Sequence, residues 1–137
     1  EVNNMAEVAN TSGKRKEAVA RCVVSEGSGR VRINNVPIEI LAPEIVRLKI
    51  MEPMVLAGDK ASKVDVSVNV QGGGFMGQAE ASRTAIAKGL VDFLKDEELE
   101  RLFKDYDRSL LISDPRRKLP KKPLGRGARK KRQKSYR

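Results

Sequence analysis

Residues Gly72-Gly73-Gly74-Phe75-Met76-Gly77 satisfy G-x-G-x-x-G, the spacing with which a strand-to-helix turn can set a pyrophosphate on helix N–H groups. Dinucleotide binding also needs a second parallel strand ending in a ribose-holding carboxylate about 20 residues on. Asp96, Glu97 and Glu98 stand at that distance, but they open a charged helix, where the helix dipole favours acidic side chains in any case. No Gly-Lys-Ser/Thr follows the glycines, so a lysine-containing phosphate loop of that type is absent. The loop has two readings: backbone freedom that only glycine supplies, or close approach of the backbone to a phosphate-rich partner.

The chain has no His and a single cysteine, Cys22. Histidine acid–base catalysis, histidine triads, Cys/His zinc sites and an intramolecular disulfide are thereby excluded. Carboxylate, Lys, Ser and Tyr chemistry remain. Asp105 and Asp107 flank Tyr106 with no ligand partners, and Cys22 reads as a small buried apolar side chain. The expectation is a protein without catalytic residues, metal, cofactor or small-molecule substrate.

Charge carries more. Of the formal net charge of +10, residues 1–113 contribute −1 (16 Lys+Arg, 17 Asp+Glu) and residues 114–137 contribute +11 (12 Lys+Arg, one Asp). The tail therefore holds the whole surplus. Pro115, Pro120, Pro123, Gly125 and Gly127 interrupt every helix it could form, and its large apolar residues are too few to offset the entropy of ordering. A Lys/Arg-dense, Pro-broken segment suits a phosphate lattice, with Arg forking onto phosphate oxygens. Membrane attachment would add an apolar or lipidated anchor; Cys22 is far from the tail, and no apolar run nears the roughly 20 residues that span a bilayer. Residues 1–13 are polar rather than a secretory signal, which leads to the expectation of a soluble, cytoplasmic protein. Lys14-Arg15-Lys16, with Arg30 and Arg32, reads either as a solvated charge run or as a second phosphate-facing patch.

The elements that must position these residues follow from periodicity. Residues 16–24 and 30–33, separated by the turn cluster Glu26-Gly27-Ser28-Gly29, predict a β-hairpin. Pro43 opens a short helix that stops before Pro53. Residues 65–70 alternate with period two and predict a strand. Residues 78–94, with Ala79, Ala81, Ala85, Ile86 and Leu90 on one face, predict a helix whose alanines let it lie close to a sheet. Leu99, Leu102, Phe103 and Tyr106 predict the next helix, and residues 109–112 a final strand. The resulting order, β-β-α-β-α-α-β, is an α+β mixed sheet with packed helices. Residues 1–113 form the globular domain, with 1–12 flexible, and 114–137 a long extended basic tail.

Three stretches resemble one family, the ninth protein of the small ribosomal subunit in its archaeal and eukaryotic-like form: Thr11-Ser12-Gly13-Lys14-Arg15-Lys16-Glu17-Ala18-Val19-Ala20, the run from Gly72 through Gln78 to Leu90, and the tail from Asp114-Pro115-Arg116-Arg117 to Lys134-Ser135-Tyr136-Arg137. The resemblance covers about residues 11–137. It implies a left-handed βαβ crossover, although the general rule for such units is right-handed. It implies a place in the head of the small subunit among neighbouring head proteins, with no membrane and no enzyme activity. It implies that small-subunit ribosomal RNA is held by Lys14, Arg15, Lys16, Gly72, Gly73, Gly74 and Gln78, and along the tail by Arg116, Arg117, Lys118, Lys121, Lys122, Arg126, Gly127, Arg129, Lys130, Lys131 and Arg132. Lys134, Ser135, Tyr136 and Arg137 would approach the anticodon stem-loop of peptidyl-site tRNA. The alternatives are a free-standing RNA chaperone that uses the same tail and a nucleotide-binding enzyme that uses the glycine loop.

Overall fold

Alternation in two strands supplies the sheet side of the core: Ala18, Ala20, Cys22 and Val24 on one, Val64, Val66, Val68 and Val70 on the other, all buried. The computed structural model describes residues 7–41 and 43–130. Its sheet consists of β1 (Val8–Arg15), β2 (Ala18–Glu26), β3 (Val31–Ile33), β4 (Val36–Pro37) and β5 (Val64–Gln71), in the order β1-β2-β5-β3-β4. The helices are α1 (Glu44–Ala57), α2 (Phe75–Leu94) and α3 (Glu97–Tyr106). The fold is therefore α+β with one mixed sheet.

The alanine-rich α2 lies across β1 and β2, as its composition predicts. A Cβ on Gly13 of β1 would stand 2.4 Å from the Ala81 carbonyl oxygen and 2.8 Å from the Ala85 amide nitrogen. No side chain larger than hydrogen fits between strand and helix there. Phe103 of α3, Leu110 and Ile50 of α1 complete the core. Asp96 caps α3 by accepting from the amides of Glu98 (3.0 Å) and Leu99 (3.4 Å), so its carboxylate serves the helix end. A Lys60 ion pair and these amides hold its pKa below the ordinary carboxylate value.

Four expectations are corrected. Residues 16–24 do not form a hairpin with 30–33: β2 pairs antiparallel with β1 and with β5, and β3 pairs parallel with β5. The turn cluster instead carries the chain across the end of β5, where the Gly27 and Gly29 amides bond the Lys63 and Val64 carbonyls (3.0 and 2.9 Å) and Asp65 accepts from the Ser28 and Arg30 amides. β3 and β5 thus become the parallel pair of a βαβ unit whose crossover contains α1. Second, α1 does not stop before Pro53 but runs on to Ala57. The proline removes one helical hydrogen bond, and its ring is fully buried in the core, which offsets the loss. Third, the sheet has a strand that periodicity did not predict: residues 8–12 pair with 21–25 along β1. Fourth, residues 109–112 form no strand; the chain makes a short 3₁₀ turn over Arg108–Leu110, started by Asp107, which accepts from the Ser109 amide at 2.9 Å.

Candidate nucleic-acid interface

Only Lys16 and Glu17 separate β1 from β2, and Lys16 takes a left-handed conformation (φ 53°). A two-residue hairpin loop requires positive φ to match the strand twist. Against this turn comes the loop between β5 and α2. Gly72 and Gly73 have φ of 79° and 66°; a Cβ on Gly72 would stand 2.5 Å from the Glu17 carbonyl oxygen, and one on Gly73 3.2 Å from the Ala18 nitrogen. Both glycines are demanded by the chain's own backbone. Gly74 differs: its φ is −94° and a Cβ there would meet nothing within 4 Å.

Gly74 is also the N-cap of α2, which has no side-chain cap and no acidic residue in its first turn. The positive end of the helix dipole is thus presented without internal compensation. Gln78 faces back: its side-chain amide donates to the Gly72 carbonyl (3.1 Å) and its backbone amide to Gly74 (2.9 Å). It closes the loop. A cleft of about 430 Å³ opens here, lined among others by Lys16, Gly73, Gly74, Phe75 and Gly77.

The root of the tail is fastened to the same turn. Asp114 forms a parallel bridge with Arg15. The Arg15 guanidinium is only 15% exposed: its Nε lies 2.6 Å from Glu80, and its terminal nitrogen donates to the Arg116 carbonyl at 2.9 Å and sits 3.6 Å from Asp114. The Arg116 guanidinium engages both oxygens of Asp114, its Nε donating to Oδ1 (3.0 Å) and Oδ2 (2.8 Å) and a terminal nitrogen to Oδ2 (2.6 Å), and the Arg116 amide donates to Oδ1 at 3.0 Å. Those bonds push the Asp114 carboxyl down to about 2. Arg117 donates to Glu17 (3.0 Å) and to the Lys16 carbonyl (2.8 Å).

Beneath this latch, buried Arg83 pairs with Glu52 (2.6 Å) and Asp107 (3.0 Å). Burial alone would raise the Asp107 pKa, but the Ser109 amide and Arg83 outweigh it and the net shift is downward. The Arg83 network ties α1 and α2 to the turn from which the tail departs.

The residues singled out from the sequence therefore separate into groups. Lys14, Arg15, Lys16, Gly72, Gly73, Gly74, Gln78, Arg116 and Arg117 converge at one end of the sheet. Within that group Arg15, Gly72, Gly73 and Gln78 have structural tasks, while Lys14, Lys16 and Gly74 are exposed. Lys118, Lys121, Lys122, Arg126, Arg129 and Lys130 are exposed and form no salt bridge among the described residues, and Gly127 is half-buried beside them. Residues 115–122 have no helix or strand, and turns and bends follow to 130. Lys131, Arg132, Lys134, Ser135, Tyr136 and Arg137 lie outside the described residues.

Two residues escaped the sequence reading. Asp114 looked like a strand-closing Asp-Pro step, and only its tertiary partner Arg15 reveals the latch. Arg21 could have been found: it alternates with Ala20 and Cys22 and so had to face away from the core.

Among the described residues no strand follows α2, so the second parallel strand of a dinucleotide site is missing. No group of three or more His, Cys, Asp or Glu there could hold a metal. No helix of the described residues is long and apolar enough to cross a membrane.

A model of the ribosomal protein S9/S16 family matches residues 13–137. The chain is 61% identical over 127 residues to the small ribosomal subunit protein uS9 of Thermoplasma volcanium, covering 93% of this chain and 96% of that one. Identity to the uS9 of Thermoplasma acidophilum is 58% over 127 residues (93% and 98% covered), and to that of Methanothrix thermoacetophila 54% over 130 residues (95% and 98%). These archaeal relatives are named as ribosomal proteins, not enzymes, and they bear out the resemblance read from the three stretches. The chain belongs to the ribosomal protein S9/S16 family.

Proposed function

We propose that this chain is a structural constituent of the small-subunit head, in the cytoplasmic ribosome, where its body docks on ribosomal RNA and neighbouring proteins and its tail threads RNA toward peptidyl-site tRNA. The observation that carries this is the partition of charge, −1 over residues 1–113 and +11 over 114–137. A segment with that surplus attracts a polyanion by releasing condensed counterions. Lys118 to Arg132 supply phosphate contacts; the latch through Arg15, Asp114, Arg116 and Arg117 fixes where the tail leaves the body, and Lys16 and Gly74 lie beside that exit. With the root fixed, the 24 residues of the tail can reach on the order of 80 Å when extended. The exposed Ile45, Leu48 and Val55 share a face of α1 and give a neighbouring protein an apolar surface. Lys134, Ser135, Tyr136 and Arg137 are the contacts to the anticodon stem-loop of the tRNA.

Small subunits reconstituted with a chain lacking residues 135–137 test the finest part of this reading. Assembly should be intact, with the protein still sedimenting with subunits at high salt, and peptidyl-site tRNA should dissociate faster. Equal tRNA retention removes the terminal contact; loss of the protein from subunits at high salt makes it a free-standing RNA-binding protein.

A further inference from the structure

Helices α1 and α2 cover one face of the sheet; among the described residues no element covers the other. Alternation assigns that open face to Lys14 on β1, Val19, Arg21 and Val23 on β2, Ser67, Asn69 and Gln71 on β5, and Arg32 on β3, opposite in sense to the buried Ala20, Cys22 and Val68. We propose that this open face is a second docking surface for the sugar–phosphate backbone of RNA, with Lys14, Arg21 and Arg32 as its phosphate contacts. The proposal rests on the reading of the chain as an rRNA-binding protein.

The argument is charge, register and continuity. Lys14 pairs with Val19, Arg21 with Asn69, and Ser67 with both Val23 and Arg32. The three cations thus step diagonally across the sheet, two residues further along at each step. With strands about 4.8 Å apart and about 3.4 Å per residue, their Cα atoms fall roughly 8 and 12 Å apart, a line one nucleic-acid strand can follow. None of the three takes part in a salt bridge among the described residues. The carboxylates bordering this face are engaged elsewhere: Asp65 by the Ser28 and Arg30 amides, and Glu17, which lines a cleft with Arg21, by Arg117 at 3.0 Å. Among the described residues the cations therefore have no carboxylate partner.

Between them lie Asn69, Gln71 and Ser67, which offer hydrogen bonds to phosphate oxygens and 2′-hydroxyls. Among the described residues no aromatic side chain stands on this face, so they offer no platform for stacking bases. Contact with backbone, not sequence reading, is what its chemistry fits. The diagonal also starts two residues from Lys16, whose carbonyl receives Arg117. RNA gripped at the root of the tail continues onto the sheet without a gap.

The test uses the full chain and naked small-subunit rRNA. The variant K14Q/R21Q/R32Q should make the log–log salt slope of binding shallower by about 2 with its thermal transition unchanged. In parallel, a photo-crosslinker on Asn69→Cys in reconstituted subunits should bond to rRNA. Labelling there is selective, because buried Cys22 has its thiol pushed up to about 12. An unchanged slope, or a crosslink to a ribosomal protein, overturns the proposal. If the slope falls on tail truncation and not in the triple variant, the function stands and this face is excluded. If neither change lowers it, the rRNA-binding reading itself fails.

Discussion

In the body of the chain the arginines that hold the fold are answered from within: Arg83 by Glu52 and Asp107, Arg15 by Glu80 and Asp114. In the tail beyond Arg117 the described cations, Lys118 to Lys130, form no salt bridge among the described residues. Residues 1–113 hold 16 Lys+Arg against 17 Asp+Glu, whereas residues 114–137 hold 12 against Asp114 alone, and that one carboxylate is spent on the latch. A buried arginine such as Arg83 needs its carboxylates, because an uncompensated charge in the interior is strongly destabilising. The described tail cations from Lys118 to Lys130 are exposed to water, carry no burial penalty while unpaired, and remain available to an external polyanion. Under the proposed function the same residue type holds the fold in one region and recruits RNA in the other, with the Arg15–Asp114 junction as the boundary between the two roles.

The sharpest way to break this division is at the glycines facing the junction. Gly72→Ala should destabilise the body by about 2 kcal/mol, because the side chain enters a left-handed position and meets the Glu17 carbonyl. Gly74→Ser meets no atom and places a preferred N-cap on α2; its stability should stay level or rise by a few tenths of a kcal/mol. Denaturant titrations of the two variants check this, and equal losses would show that the loop acts as one structural unit.

A smaller effect is expected at the latch. The Asp114 carboxyl is lowered from 3.8 to about 2 by Arg116 and Arg15, so the folded state binds fewer protons there than the unfolded chain. Its contribution is present above about pH 4 and lost as pH falls through about 2. Asp114→Asn should remove that part of the acid-unfolding limb, lower the thermal transition at neutral pH slightly because the exposed pair is screened by solvent, and increase protease cleavage after Arg116 and Arg117. Acid titration followed by circular dichroism checks the first effect and limited trypsin digestion the second.

Much of the fold was legible because it is local. The alternation of 65–70 and the alanine face of α2 each specify an element and its buried side. Residues 26–33 were misread because a turn cluster between two alternating runs looks the same whether the strands become neighbours or another strand enters between them. β5 enters from about 30 residues later, and nothing near Gly27 encodes it except the partner that Asp65 supplies. Pro53 was read by its missing N–H and not by its buried ring. At the interface, tail and glycine loop were visible as composition and spacing. That two of the three glycines serve the fold, that Arg15 is a structural ligand and that the outward-facing Arg21 lines up with Lys14 and Arg32 all depend on which strands pair and what packs opposite.

The central claim is that the tail carries most of the electrostatic attraction to RNA. It is tested most directly by the salt dependence of binding to small-subunit rRNA for the full chain and for one lacking residues 116–137. About eight tail cations on phosphates should contribute a log–log slope of roughly −6 to −7, to which the open sheet face adds about −2, and the truncated chain should lose the tail's share. A slope unchanged by the truncation would place the attraction in the body and contradict the account.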